Sequence, residues 1–250
     1  MSFDIIYQSP AQMLLSERTL LYALVYGLRP AVALEIGTAQ GGSAMIICAA
    51  MDASGCGRLV CVDQAIKIVP DNLTRVAHRI SLLEGLSFET IPRAYELVKT
   101  QFDFAFVDGD HSYEGVLKDI EAVSQFLREG SYVLFHDAHY FEVKEAIDAT
   151  LKRYPFVDCG MLSLEATLTN DIHMGKPVVW GGLRLLRFLP SLQGFNGRRE
   201  ETAQTQTELD VLTARVRERV GNLSGWHGAL IRKTLRLSYR SMLGLGRLFF

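Results

Sequence analysis

The chain has 250 residues, 48% hydrophobic and 22% charged, enough for one large domain with a proper core or a domain plus an appendage. Its net charge of −2 is unevenly placed: residues 191–250 hold 10 of the 26 Lys/Arg but 5 of the 28 Asp/Glu, so a basic tail follows an acidic body. The composition excludes a spanning helix, which needs about 20 consecutive apolar residues.

The first residues, MSFDIIYQSP, lack the basic-then-apolar order of a signal peptide. Cys48, Cys56, Cys61 and Cys159 form no CxxC pair and read as reduced thiols of a cytoplasmic protein. Ser9-Pro10 predicts a helix start, because Pro is tolerated at the first helical position. Met13, Leu14, Leu20, Leu21, Leu24 and Val25 then make an apolar stripe that ends at Gly27 and Pro30. This helix is expected to pack over the open end of a sheet.

Residues 31–36, AVALEI, predict a strand buried on both faces. It enters a loop, Gly37-Thr38-Ala39-Gln40-Gly41-Gly42-Ser43, and then a helix over 44–51. A strand over 58–62 ends at Asp63. A helix over 71–79, a short strand over 80–83, a further helix, and the strand 102–107 follow. Helix 114–128, strand 131–135 and helix 141–153 continue the alternation. The pattern predicts an α/β protein with a doubly wound parallel sheet. Two last strands, 157–162 and 177–186, are separated by about fourteen mostly polar residues, which is long for a hairpin loop.

From Gln193 the chain turns polar. Leu209, Leu212, Val216, Val220 and Leu223 then recur at helical spacing, and Trp226 to Phe250 contains five Lys/Arg residues and no acid. Such a tail suits either peripheral contact with an anionic membrane face or packing on the body or a second copy of the chain.

Three places carry chemistry. The glycine loop lets the backbone approach a ligand and offers a helix N-terminus to an anion. It is not the G-x-G-x-x-G of dinucleotide folds, since Ala39 stands where the second glycine belongs. It suits a ligand bearing a carboxylate and an amine. Asp63, at the end of the second strand, can accept both hydroxyls of a ribose. Asp108-Gly109-Asp110-His111 and His136-Asp137 close two neighbouring strands, where open α/β sheets bind ligands. Their carboxylates and imidazoles suit a hard cation and proton transfer. His111, with an ordinary imidazole pKa of about 6.5, is the candidate base; His139 and His173 are rivals.

EIGTAQGGS, Asp63 and VDGDHSYEGVLKD together resemble the class I S-adenosylmethionine-dependent methyltransferases. The nearest likeness is to the bacterial sugar and natural-product O-methyltransferases, over roughly residues 30–190. The resemblance implies a Rossmann-like sheet of order 3-2-1-4-5-7-6 with its last strand antiparallel. With the pattern of the flanking residues, the expected division is an N-terminal helical cap (1–30), the S-adenosylmethionine-binding methyltransferase domain that the resemblance implies (31–190), and a linker with a basic amphipathic helical tail (191–250). Glu35, Gly37, Thr38, Gly41 and Ser43 would lie by the methionine end of S-adenosylmethionine, Asp63 on the ribose, Ser87 by the adenine and Asp108 between cofactor and acceptor. Relatives often carry an acid after the glycine of the adenine loop; Leu86 stands there. In metal-dependent relatives three ligands match Asp108, His136 and Asp137, with Mg2+ or Mn2+ as the candidate ion. His111 and Asp108 match the catalytic positions. A sugar, glycolipid or small natural product would be the acceptor, and no nucleic-acid partner is expected. The enzyme would be cytoplasmic, with its tail at the inner membrane face or in a homo-oligomer contact. The rival readings are an oxidoreductase on the same scaffold, disfavoured by the missing G-x-G-x-x-G, and a cofactor-binding module without catalysis.

Overall fold

A computed structural model of the chain describes residues 3–192. The predicted basic tail lies outside the described residues.

Two N-terminal helices, α1 (Asp4–Gln8) and α2 (Leu15–Leu28), precede the sheet. Strands and helices then alternate: β1 (Val32–Ile36), α3 (Gly42–Ser54), β2 (Arg58–Asp63), α4 (Pro70–Val76), β3 (Ile80–Glu84), α5 (Ser87–Val98), β4 (Phe102–Val107), α6 (Tyr113–Ser124), β5 (Leu127–Phe135) and α7 (Phe141–Arg153). Four strands close the fold: β6 (Phe156–Ser163), β7 (Thr167–His173), β8 (Lys176–Trp180) and β9 (Leu183–Phe188). The main sheet runs β3-β2-β1-β4-β5-β9-β6, and β9 is antiparallel to both neighbours. This is the expected Rossmann-like order, with β9 in the place of the seventh strand.

Alternation along the strands feeds two cores. Phe104 and Phe106 of β4 face α1, α2 and α3, where Leu21, Ile46 and Met51 are fully buried. Phe102, Ala105 and Val107 face α5, α6 and α7, against Ile91, Ile120 and Ile147. A strand buried on both faces reads as a continuous apolar run for this reason.

Two expectations fail locally. Ser9-Pro10 does not start the first long helix. α1 ends before it, and the Ser9 hydroxyl donates to Gly42 O at 2.7 Å and accepts from Ala11 N at 3.1 Å. The segment 9–14 therefore lies on the start of α3, and α2 begins at Leu15. A Cβ on Gly42 would come within 2.2 Å of Ala11 N, so the contact needs glycine. The predicted strand 177–186 is two strands. Gly181 and Gly182 both have φ of +89°, which breaks the run, and β8 leaves the main sheet to pair with β7. The polar segment thus supplies β7, which pairs with β8 in a separate hairpin.

Gly37 fixes where β1 meets β4. Its φ is +85°, and a Cβ there would stand 2.0 Å from the carbonyl oxygen of Asp108. Gly37→Ala is therefore expected to cost about 2–4 kcal/mol, from left-handed strain plus overpacking. Urea unfolding checks it; an unchanged midpoint would show that the two strand ends need no such approach.

Candidate active site

A cavity of about 530 Å3 opens at the C-terminal ends of the parallel strands. Its lining includes Gly37, Thr38 and Ser43, then Asp63, Gly85 and Ser87, and finally Asp108, His111, His136 and Asp137. Pro10 to Met13 cover one side, which the packing of Ser9 on Gly42 makes possible.

Asp63 organises the glycine loop. Its Oδ2 accepts from Thr38 N and Ala39 N at 2.7 and 2.8 Å, and its Oδ1 from Ala65 N at 2.9 Å. A carboxylate offers about four acceptor positions, so three of them already hold backbone. Gly41, with φ of +82°, turns the loop into α3. Gly41 itself is not on the cavity wall, and neither is Glu35. Glu35 is fully buried behind the loop, where it accepts from Cys61 Sγ at 3.0 Å. Burial pushes its carboxyl up to about 7; Ser43, Cys61 and Thr38 pull part of the way back, and the charge of Asp108 adds to the rise.

At the other strand ends the charges are dense. His136 is buried between carboxylates: Nδ1 lies 3.0 Å from Asp108 Oδ1 and 3.2 Å from Asp137 Oδ2, and Nε2 lies 3.2 Å from Glu17 Oε2. Burial alone would lower its pKa. The charge of Asp108 and the bonds to Asp108, Asp137 and Glu17 outweigh that and hold it well above the ordinary imidazole value. His111 Nε2 sits 3.0 Å from Asp137 Oδ2 and 3.6 Å from Asp108 Oδ1, though off the line a hydrogen bond needs. Burial opposes its charge as well, but the two carboxylates raise it to about 9. Asp108 and Asp137 move the other way: burial would raise both, and the two histidines hold both below the usual carboxylate range. Asp137 adopts φ of +51° and its Oδ1 accepts from Gly181 N.

The expected ligand trio is rearranged. His136 does lie beside Asp108 and Asp137, but both its nitrogens are engaged with carboxylates and it acts as their internal counter-cation. The three donors that converge, one ligand atom each within 4.8 Å, are Asp108, His111 and Asp137. Two carboxylates and an imidazole fit Mn2+ or Zn2+ better than Mg2+. One imidazole cannot act as free base while it is also a metal ligand, so the base and ligand roles of His111 exclude each other. The rival bases stand apart. His139 lies against Gly182, and His173 pairs with Glu142 at 3.2 Å; neither is on the cavity wall. Asp110 and Ser112 do turn work: Asp110 Oδ1 accepts from Ser112 N and Ser112 Oγ from Gly115 N, capping α6.

Three residues were missed in the sequence. Glu17, fully buried, accepts from Leu14 N at 2.8 Å and Gly182 N at 2.6 Å besides meeting His136. Its signal was a carboxylate on the apolar stripe, in step with Leu20, Leu21 and Leu24. Trp180 is stacked on Tyr140 (4.8 Å between ring centroids) and meets His111 edge-on at 5.4 Å. Asp119 of α6 is also on the cavity wall.

The comparisons agree with this geometry. A family model described as a methyltransferase domain matches residues 34–138. No curated protein matches the sequence. Among solved structures, the fold is shared with the cofactor-bound Rv0187 protein from MTB (20% identity, 72% of this chain and 83% of that one, TM-score 0.54). It is shared too with the O-methyltransferase TomG from Streptomyces achromogenes, of tomaymycin synthesis, in complex with S-adenosylmethionine (18%, 71% and 81%, 0.53). An O-methyltransferase from Bacillus cereus bound to S-adenosylhomocysteine is similar (18%, 72% and 85%, 0.54). The chain thus has the class I methyltransferase fold, and residues 34–138 of it match a methyltransferase domain.

Glu35 gives a pH signature. Its folded pKa exceeds the unfolded value of 4.5, so between pH 4.5 and about 7 the folded state binds more protons and loses stability as pH rises. Glu35→Gln cannot ionise. The wild type is expected to lose about 3 kcal/mol relative to that variant from pH 4 to 8, read by denaturant unfolding. Parallel pH profiles would mean Glu35 is solvated.

Proposed function

We propose that the enzyme transfers a methyl group from S-adenosylmethionine to a hydroxyl of a small natural product or a sugar. One observation carries this reading: a single cavity joins the loop held by Asp63 to the cluster of Asp108, His111 and Asp137. A ligand that bridges them crosses the two strand spacings from β2 to β4, about 10 Å. The part that TomG plays in tomaymycin synthesis supports a natural-product acceptor.

In this reading the loop from Gly37 to Ser43 takes the amino-acid end of the cofactor, the remaining acceptor position on Asp63 takes the ribose and Ser87 borders the adenine. The His111 imidazole removes the proton of the acceptor hydroxyl. The oxygen then forms a bond to the methyl carbon, the carbon–sulfur bond breaks with its electron pair passing to sulfur, and a methyl ether and S-adenosylhomocysteine result. His111 must be neutral at that moment. The positive sulfonium disfavours the imidazolium and helps to expel its proton. Trp180 and Tyr140 hold the imidazole plane. Were Asp108, His111 and Asp137 to hold a divalent ion instead, it would lower the pKa of a coordinated hydroxyl and replace His111 as the group that favours proton loss.

Calorimetry with S-adenosylmethionine tests the cofactor site: Asp63→Ala is expected to weaken binding by about 1.5–3 kcal/mol. Unchanged affinity would displace the ribose from Asp63.

Steady-state assays over glycosides and small hydroxylated compounds test the base. The kcat/KM reports the free enzyme, whose His111 is protonated below about pH 9, so the rate is expected to rise with pH and level off near 9. His111→Ala should lower turnover about 10²–10⁴-fold and leave cofactor binding intact. A rate untouched by EDTA would remove the metal, and a flat pH profile would remove the base.

A further inference from the structure

The hairpin of β7 and β8 has two faces, and the described residues cover one of them. His173 pairs with Lys176, and Thr167 with Trp180, across the two strands. That face lies on α7. His173 meets Glu142 at 3.2 Å, Lys176 meets Glu145 at 2.9 Å, and Trp180 stacks on Tyr140 at the start of the helix. Val178, in step with Lys176 and Trp180, is 4% exposed. Successive side chains of a strand point to opposite faces, so Leu168, Ile172, Pro177 and Val179 share the other face. Leu168 is 76% exposed, Ile172 66%, and Met174 in the turn 75%, the highest values of any large hydrophobic among the described residues. The solvated face of an antiparallel sheet is ordinarily polar, and a clustered apolar face marks an interaction site.

Residues beyond 192 lie outside the described residues, but their sequence offers a fitting occupant. Leu209, Leu212, Val216, Val220 and Leu223 recur at helical spacing. As a helix, residues 209–223 would extend about 22 Å. The 7 residues of β7 extend about 23 Å. The chain is long enough to return there. β9 starts beside β8 and carries the chain about 20 Å along the sheet to Phe188. Residues 193–208, fully extended, reach about 50 Å. Charge agrees as well. Asp171, exposed beside Ile172, has no ion pair among the described residues. Arg215, Arg217 and Arg219 flank the apolar stripe, against Asp210 and Glu218.

We propose that residues 209–223 dock on the outer face of the β7–β8 hairpin of the same chain, with their leucine and valine stripe against Leu168, Ile172 and Val179. The hairpin then lies between α7 and the tail, with both faces covered. The contact steadies the strand that carries Trp180, whose ring centroid is 5.4 Å from that of His111. It stands independently of the methyl-transfer reading.

Hydrogen exchange of the full chain, read by mass spectrometry, tests the contact. A packed helix limits local opening, so peptides from 166–180 are expected to exchange about 10-fold or more slower in the wild type than in the double variant Leu212→Asp, Val216→Asp. Peptides from β1 and β4 are the internal control and should be unchanged. The double variant Leu168→Asp, Ile172→Asp strikes the other side of the contact and should speed exchange in 209–223 by a similar factor. Equal hairpin exchange in the wild type and the tail variant overturns the proposal. Protection that appears only as the protein concentration rises also overturns it, because a second copy of the chain then covers the face. Protection that needs added anionic vesicles does the same in favour of a lipid surface. If the hairpin variant does not fold, the tail variant decides alone.

Discussion

The buried contact of His136 with Glu17, Asp108 and Asp137 is the constraint on which the rest of the site depends. Carboxylates this close cannot share a low-dielectric space without a cation. His136 is that cation, and it ties three parts of the chain together. Glu17 brings α2 and, through Gly182 N, the break between β8 and β9. Asp108 brings the end of β4, which Gly37 allows β1 to approach. Asp137 brings Gly181 by a bond that fixes the same break from the other side. The cap, the sheet and the hairpin therefore meet at one charged point rather than along an apolar seam. Removing one partner of such a set leaves an uncompensated buried charge, which is far costlier than the pairing is stabilising.

That arrangement divides labour between two histidines with similar neighbours. His136 is enclosed, and both its nitrogens face carboxylates. His111 is one-third exposed at its side chain, touches the same two aspartates only at charge-pairing distance and has an aromatic edge on its other side. Burial encloses the first on both nitrogens and leaves the ring of the second partly exposed at the cavity. The difference arises from the lengths of the connections, since β4 runs into a capped turn and β5 directly into the left-handed Asp137.

The cofactor side follows a different physical rule. There the backbone does most of the holding. Asp63 spends its acceptors on loop N–H groups, and glycines at 37 and 41 supply conformations that other residues resist. The shape of the loop at this end is thus set by its backbone. Glu35, which the resemblance put at the cofactor, is set back by one layer and stabilised by a thiol.

Much of this was legible in the chain alone. Continuous apolar runs identified the parallel strands because both faces of each are covered, and the acids at their ends marked the crevice because a parallel sheet gathers its strand termini on one edge. Asp63, Asp108, His111 and Asp137 were readable for that reason. What the tertiary structure decided was everything set by long-range contact. Glu17 meets His136 across 119 positions, Gly182 meets Glu17 across 165, and Ser87 meets Asp119 across 32. Local pattern records which face of a helix or strand is apolar; it holds no information on which distant carboxylate will share that face. β7 escaped for the same cause, since its polar sequence is that of a loop, and β8, read as part of one strand over 177–186, is turned away from the sheet only by the break at Gly181-Gly182. Sequence fixes periodicity and turn chemistry, and the pairing of buried charges is settled only when the chain closes on itself.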